Sequence, residues 1–157
     1  MAVSFLRKLT LSVVLTTLTL PAQAEGLSGA YLAARQASMN SDYTASAEYF
    51  TRALTRDPSN PKILESAVLA YLSLGQIDTA IPIARKMETD GLDSQLARMV
   101  LAAGLIKDGR YEALLDSIES GHGVSELVDG LMTAWAHIGN GDMSNALKAF
   151  DAVSEQP

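Results

Sequence analysis

The chain has 157 residues, a formal net charge of −6 and no cysteine. The lack of cysteine excludes disulfides, thiolate metal sites, cysteine nucleophiles and a lipid attached to a cysteine behind a leader. An acidic chain repels a phosphate backbone, so we expect no nucleic-acid partner.

The first 24 residues have the pattern of a secretory signal peptide. The first eight residues include the basic Arg7 and Lys8 and no acidic residue. Residues 9–20 are apolar except for Ser and Thr, and Ala22-Gln23-Ala24 resembles a cleavage site. The apolar stretch has about 12 residues, whereas a membrane-spanning helix needs roughly 20. We therefore predict a periplasmic or secreted protein that starts at Glu25 and keeps no stable membrane anchor. An uncleaved leader is the alternative.

The rest of the chain contains a short turn that recurs at a nearly fixed interval. Ser41-Asp42-Tyr43 comes back as Gly75-Gln76-Ile77, Gly109-Arg110-Tyr111 and Gly141-Asp142-Met143, at spacings of 34, 34 and 32 residues. A period of this length is typical of stacked helical repeats. The turns divide the mature chain, residues 25–157, into helix–turn–helix units at 27–60, 61–94, 95–126 and 127–157.

Small and apolar residues on both sides of each turn have helical spacing. In the second unit, the residues that share one helical face are Leu64, Ala67, Val68 and Tyr71 on the first helix and Ala80, Ile81, Ala84 and Met87 on the second. We expect Asp78 to cap that second helix, which puts Pro82 at the fourth helical position, where proline is tolerated. In the third unit, Gly121-His122-Gly123 should shorten the second helix.

The residue pattern resembles the tetratricopeptide repeat, a helix–turn–helix unit of about 34 residues with small residues at the helix contacts, an aromatic on the second helix and a closing proline. The first unit matches it in Asp42-Tyr43, Ala53-Leu54 and Asp57-Pro58, and the second matches it in Ala67 to Tyr71 and Gly75 to Ala80. The third and fourth units depart from the pattern, because neither has the closing proline. The tryptophan near the start of the family's repeat is absent from all four units.

The resemblance implies an all-helical, right-handed superhelical solenoid whose first helices line a concave groove for a peptide or partner segment. Carried over position by position, it assigns as partner-binding residues Tyr31, Arg35, Met39, Leu69, Leu72, Leu96, Met99, Ile106, Leu131 and Trp135. The apolar members from Leu69 to Trp135 would form one exposed strip, as protein-contact surfaces do. Two alternatives stay open: a slipped frame would put some of these side chains in the core, and further chain would cover the strip.

The outer face of the fourth unit raises a separate question. Leu147 and Phe150 would be exposed there, although repeat arrays need a polar terminal face. The sequence leaves open either further repeats or a capping subunit at the C-terminal end.

The sequence favours binding over catalysis. We expect no enzymatic activity, no cofactor and no metal site, and we interpret the chain as an exported scaffold for a protein or peptide partner. Its setting would be cell-envelope assembly, secretion or polymer export, by analogy with the family. One alternative is a non-catalytic helper domain of a larger enzyme complex. A less favoured one is a small hydrolase that uses His122 with Ser120 or Ser125.

Overall fold

Eight α-helices and one short π-helical turn form the secondary structure of residues 26–154, the part of the chain that the computed structural model describes. The α-helices are α1 (Leu27–Met39), α2 (Tyr43–Leu54), α3 (Pro61–Ser73), α4 (Ile77–Thr89), α5 (Gln95–Lys107), α6 (Tyr111–Ser117), α7 (Glu126–Gly139) and α8 (Met143–Ser154). No strand occurs between residues 26 and 154, so the all-helical prediction is confirmed there. The predicted signal peptide, residues 1–24, lies outside the described residues.

The helices pack mainly on their neighbours in the chain, and α3 also contacts α5. Packing of this kind is typical of stacked repeats, in which each hairpin contacts only the hairpins beside it. α1, α3, α5 and α7 are therefore the first helices of four successive hairpins. The right-handed superhelix and the unit boundaries given above stay predictions. Among the described helices, none combines the length and the apolar character that crossing a bilayer requires.

The core is a row of clusters instead of one centre. The first cluster of buried side chains joins α1, α2 and α3, the second joins α3, α4 and α5, and the third joins α5, α6 and α7. Each cluster thus attaches one hairpin to the first helix of the next. Small residues fill the closest contacts, and the alanines with no exposed surface are Ala34, Ala53, Ala67, Ala80 and Ala84.

Every turn within a hairpin contains one residue in the left-handed region of backbone space. Gly75, Gly109 and Gly141 have φ angles of 70°, 67° and 77°, and Ser41 has a φ angle of 58°. In this region the Cβ of an L-residue crowds its own backbone, whereas glycine has no Cβ. The first turn is therefore strained in a way that the other three are not.

We expect Ser41→Gly to raise the free energy of unfolding by about 1 kcal/mol, because it removes this strain. The reverse change in the next turn, Gly75→Ser, should lower the free energy of unfolding by a similar amount. A Cβ at Gly75 would meet no atom within 4 Å, so the backbone angle alone decides the effect. Urea unfolding of both variants measures the difference, and changes of the same sign in the two turns would contradict this explanation.

The prediction that Asp78 caps the second helix of its unit is wrong. α4 begins one residue earlier, at Ile77, and its N-cap is Gln76, which makes no side-chain cap bond. Asp78 instead forms an ion pair with Lys107 of α5. Pro82 is consequently the sixth residue of α4, and the helix continues past it although proline donates no backbone hydrogen bond.

Aspartate does cap the second helix of the first and last hairpins. Asp42 accepts a hydrogen bond from the backbone N–H of Ala45, and Asp142 accepts one from the backbone N–H of Asn145, both at 3.1 Å. The bond from the Asn145 backbone also lowers the pKa of the Asp142 carboxyl below its usual value. The two turns therefore start α2 and α8 in the same register.

The second helix of the third hairpin, α6, is short, as the sequence Gly121-His122-Gly123 predicted. α6 ends at Ser117, a π-helical turn follows over Ile118–His122, and Gly121 turns the chain with a φ angle of 82°. The carboxylate of Asp129 then accepts a hydrogen bond from the backbone N–H of Val124 at 2.7 Å, which fixes the link to α7.

Candidate partner-binding surface

The ten residues predicted to bind a partner all lie on first helices. α1 contributes Tyr31, Arg35 and Met39; α3 contributes Leu69 and Leu72; α5 contributes Leu96, Met99 and Ile106; α7 contributes Leu131 and Trp135. Six are exposed and four are half-buried, and none of the ten is buried. These first-helix residues therefore remain accessible, and their role in binding stays a prediction.

A cavity between α1, α2 and α3 brings three of the ten together. Arg35, Met39 and Leu69 line a space of about 350 Å³ whose floor includes Phe50. Met39 and Leu69 are 76% and 56% exposed, so their apolar surface is in contact with solvent. We call this space the α1–α3 cavity. Its lining combines apolar walls with a guanidinium group.

A second cavity lies between α7 and α8 and includes Leu131 and Trp135. Its volume is about 230 Å³, and the side chains of Ile138, Leu147 and Phe150 line it as well. Trp135 is 68% exposed. We call this space the α7–α8 cavity. Its lining is apolar, and half of it comes from α8, a second helix that the predicted groove did not include.

The remaining predicted residues lie outside these two cavities. Tyr31 lines a third space with Lys62, and its ring meets the ring of Phe50 edge-on at 6.2 Å between centroids. Met99 and Ile106 are exposed on α5. Leu72 and Leu96 are half-buried and pack against the second core cluster, so part of their surface already belongs to the core.

The structure thus brings Arg35, Met39 and Leu69 together and, at a different place, Leu131 and Trp135. A continuous strip from Leu69 to Trp135 stays a prediction. Sequence reasoning missed Met143 as a neighbour of Trp135. The spacing of Met143, Leu147 and Phe150, at i, i+4 and i+7, would have indicated one face of α8.

The nucleophile pair left open by the sequence is not assembled. The hydroxyl of Ser120 donates to the backbone carbonyl of Asp116 at 2.7 Å, and across residues 26–154 no hydrogen bond joins His122 to Ser120 or Ser125. His122 itself is exposed in the π-helical turn. In the same part of the chain, no three His, Asp or Glu side chains come together in a way that could hold a metal ion.

No protein-family model matches the chain, and no curated protein does. Solved structures do resemble it. MamA AMB-1 P212121 has a TM-score of 0.71 and 23% identity over 85% of this chain and 74% of its own. MamA MSR-1 C2 has a TM-score of 0.69 and 22% identity over 85% of this chain and 78% of its own. MamA is a tetratricopeptide-like repeat protein, so the likeness shows a helical-repeat fold of that type.

Proposed function

We propose that this chain is an exported helical-repeat scaffold that binds a segment of another protein along its first helices. The observation that supports it most is the exposure of large apolar side chains on α1, α3, α5 and α7. Burying such surface against a partner is favourable in proportion to the area removed from water. The fold is a second support, because stacked helical repeats present extended binding surfaces.

The α1–α3 cavity indicates the chemistry of the bound segment at that end. Met39 and Leu69 would contact an apolar side chain, and Arg35 would pair with a carboxylate beside it. Farther along, Met99 and Trp135 present apolar surface to the segment. Methionine adapts to varied partners and tryptophan is a common interface anchor, so the segment should become more apolar toward α7.

We propose the periplasm or the external medium as the location and cell-envelope assembly, secretion or polymer export as the setting. The pattern of residues 1–24 supports the location. The setting rests on analogy with other repeat scaffolds. We propose that the chain acts without catalysis and without a cofactor.

Glutamate at Leu69 or at Met99 should reduce capture of the partner at least about tenfold, because a carboxylate would be desolvated against apolar surface. Both side chains are exposed, so the helices should form unchanged. The measurement is a crosslinking pull-down from the envelope fraction, quantified by mass spectrometry, with circular dichroism of each variant.

Glu112→Lys is the matched control, because Glu112 is exposed on the second helix α6 and its substitution should leave capture unchanged. Unchanged capture by Leu69→Glu and Met99→Glu, with both variants folded, would rule out binding along the first helices. If either variant unfolds instead, its side chain belongs to the core. An enzymatic activity that disappears in His122→Ala would favour the hydrolase alternative.

A further inference from the structure

α8 presents a row of large apolar side chains to solvent. Met143, Leu147 and Phe150 are 58%, 57% and 54% exposed, and all three line the α7–α8 cavity. Their spacing at i, i+4 and i+7 places them on one side of the helix. Ala146, between them in sequence, is buried. The row therefore forms a solvent-exposed face of the hairpin of α7 and α8.

The first hairpin shows what such a face contacts elsewhere in the molecule. α2 and α8 start from equivalent aspartate caps, so residues 100 positions apart correspond, and Phe150 matches Phe50. Phe50 is only 2% exposed, because it lies in the cluster with Ile63 and Ala67 of α3. The exposed face of α8 therefore corresponds to the face of α2 that α3, the first helix of the next hairpin, covers.

The opposite end of the described stack of helices, at α1, has the complementary shape. Gly29 and Ala33 of α1 lie 34 positions, one repeat, before Ile63 and Ala67 of α3. They therefore lie on the face of α1 that corresponds to the face of α3 packed on α2. Together with Tyr49 of α2 they line a cavity of about 540 Å³, which we call the α1–α2 cavity. Because the residues of α1 in this cavity are small, side chains as large as leucine and phenylalanine have room there.

Charge is also complementary between the two ends. Arg52 and Arg56 line the cavity beside α1. Arg52 forms an ion pair with Glu48 and lies over the ring of Tyr49, and both Arg52 and Arg56 are exposed. On α8, Asp151 is exposed next to Phe150. Opposite charges placed in this way orient two surfaces that approach each other.

We infer that copies of this chain associate head to tail: the outer face of α8 in one copy packs into the α1–α2 cavity of the next, as α2 packs on α3 within the chain. The contact joins different surfaces of the two copies, so each copy keeps one free face and the assembly is open-ended. This inference does not depend on partner binding along the first helices, and it would extend that surface over several copies.

Sedimentation velocity tests the inference. The full chain is expressed, and the form that the cell produces from it is purified and measured. The mean mass should rise beyond that of a dimer as the concentration increases. Phe150→Glu should weaken association at least about tenfold by placing a carboxylate in the contact, and Ala33→Trp should do the same by filling the cavity. Leu147→Glu serves as a second variant of the same face, and circular dichroism confirms that each variant is folded.

Mixing the Phe150→Glu and Ala33→Trp variants gives the sharpest result. One variant keeps an intact cavity and the other keeps an intact α8 face, so we expect a one-to-one dimer and no larger species. A wild-type chain that stays monomeric at every concentration would overturn the inference. Association that neither variant weakens, or a mixture that forms no dimer, would overturn it as well.

Discussion

Arginine in place of Ala80 should unfold the second hairpin, with a loss of more than about 3 kcal/mol in the free energy of unfolding. Ala80 has no exposed surface and belongs, with Leu64 and Val68, to the cluster that joins α3, α4 and α5. A longer side chain would force the helices apart, and its charge would be buried among apolar groups. Thermal unfolding followed by circular dichroism measures the loss.

Met99→Arg is the matched control for this prediction. It introduces the same side chain on α5, in the same part of the stack, at a position that is 49% exposed. Surface substitutions of this kind change stability by about 0.5 kcal/mol or less. Equal stability of the Ala80→Arg and Met99→Arg variants would show that Ala80 is not at a tight contact between helices.

Phe50→Ala should destabilise the chain by about 3–5 kcal/mol, and Phe150→Ala by roughly 1 kcal/mol. The two phenylalanines occupy the same position of equivalent helices, but Phe50 is 2% exposed and Phe150 is 54% exposed. Removing the buried ring leaves a cavity beneath α3, whereas removing the half-exposed ring of Phe150 loses only its contacts with the lining of the α7–α8 cavity. Urea unfolding at a concentration that keeps copies apart compares the two directly.

Equal losses from these two substitutions would have one structural meaning. They would show that something covers Phe150 in the isolated chain as completely as Ile63 and Ala67 cover Phe50. The proposed contact between copies would then be blocked. The comparison therefore also tests whether the face of α8 at Phe150 is exposed, as the contact between copies requires.

The turn pattern predicted the succession of helices because its physical requirements are local. Each turn needs a residue that adopts positive φ, which Gly75, Gly109 and Gly141 supply without strain. Apolar spacing on both sides then determines which face of each helix is buried, as at Ala67 and Ala80. These signals operate within a few residues, so the sequence alone contains them.

Two features of the structure depend on longer-range geometry. Asp78 lies two residues after the capping position of its turn, and its partner Lys107 comes from the next hairpin. Trp135 was assigned to a groove of first helices, yet the cavity beside it is completed by Leu147 and Phe150 of α8. Helical spacing gives the face that a residue occupies on its own helix. It does not give the distance to the neighbouring helix.

Site-specific photo-crosslinking in the full chain tests the central claim most directly. A photoreactive residue would replace Leu69 or Met99 on the first helices and, separately, Glu88 or Glu112 on the second helices; all four positions are exposed. We predict that one protein becomes crosslinked from Leu69 and Met99 and from neither glutamate position. Crosslinks that form only at Glu88 and Glu112, or none at any of the four, would contradict binding along the first helices.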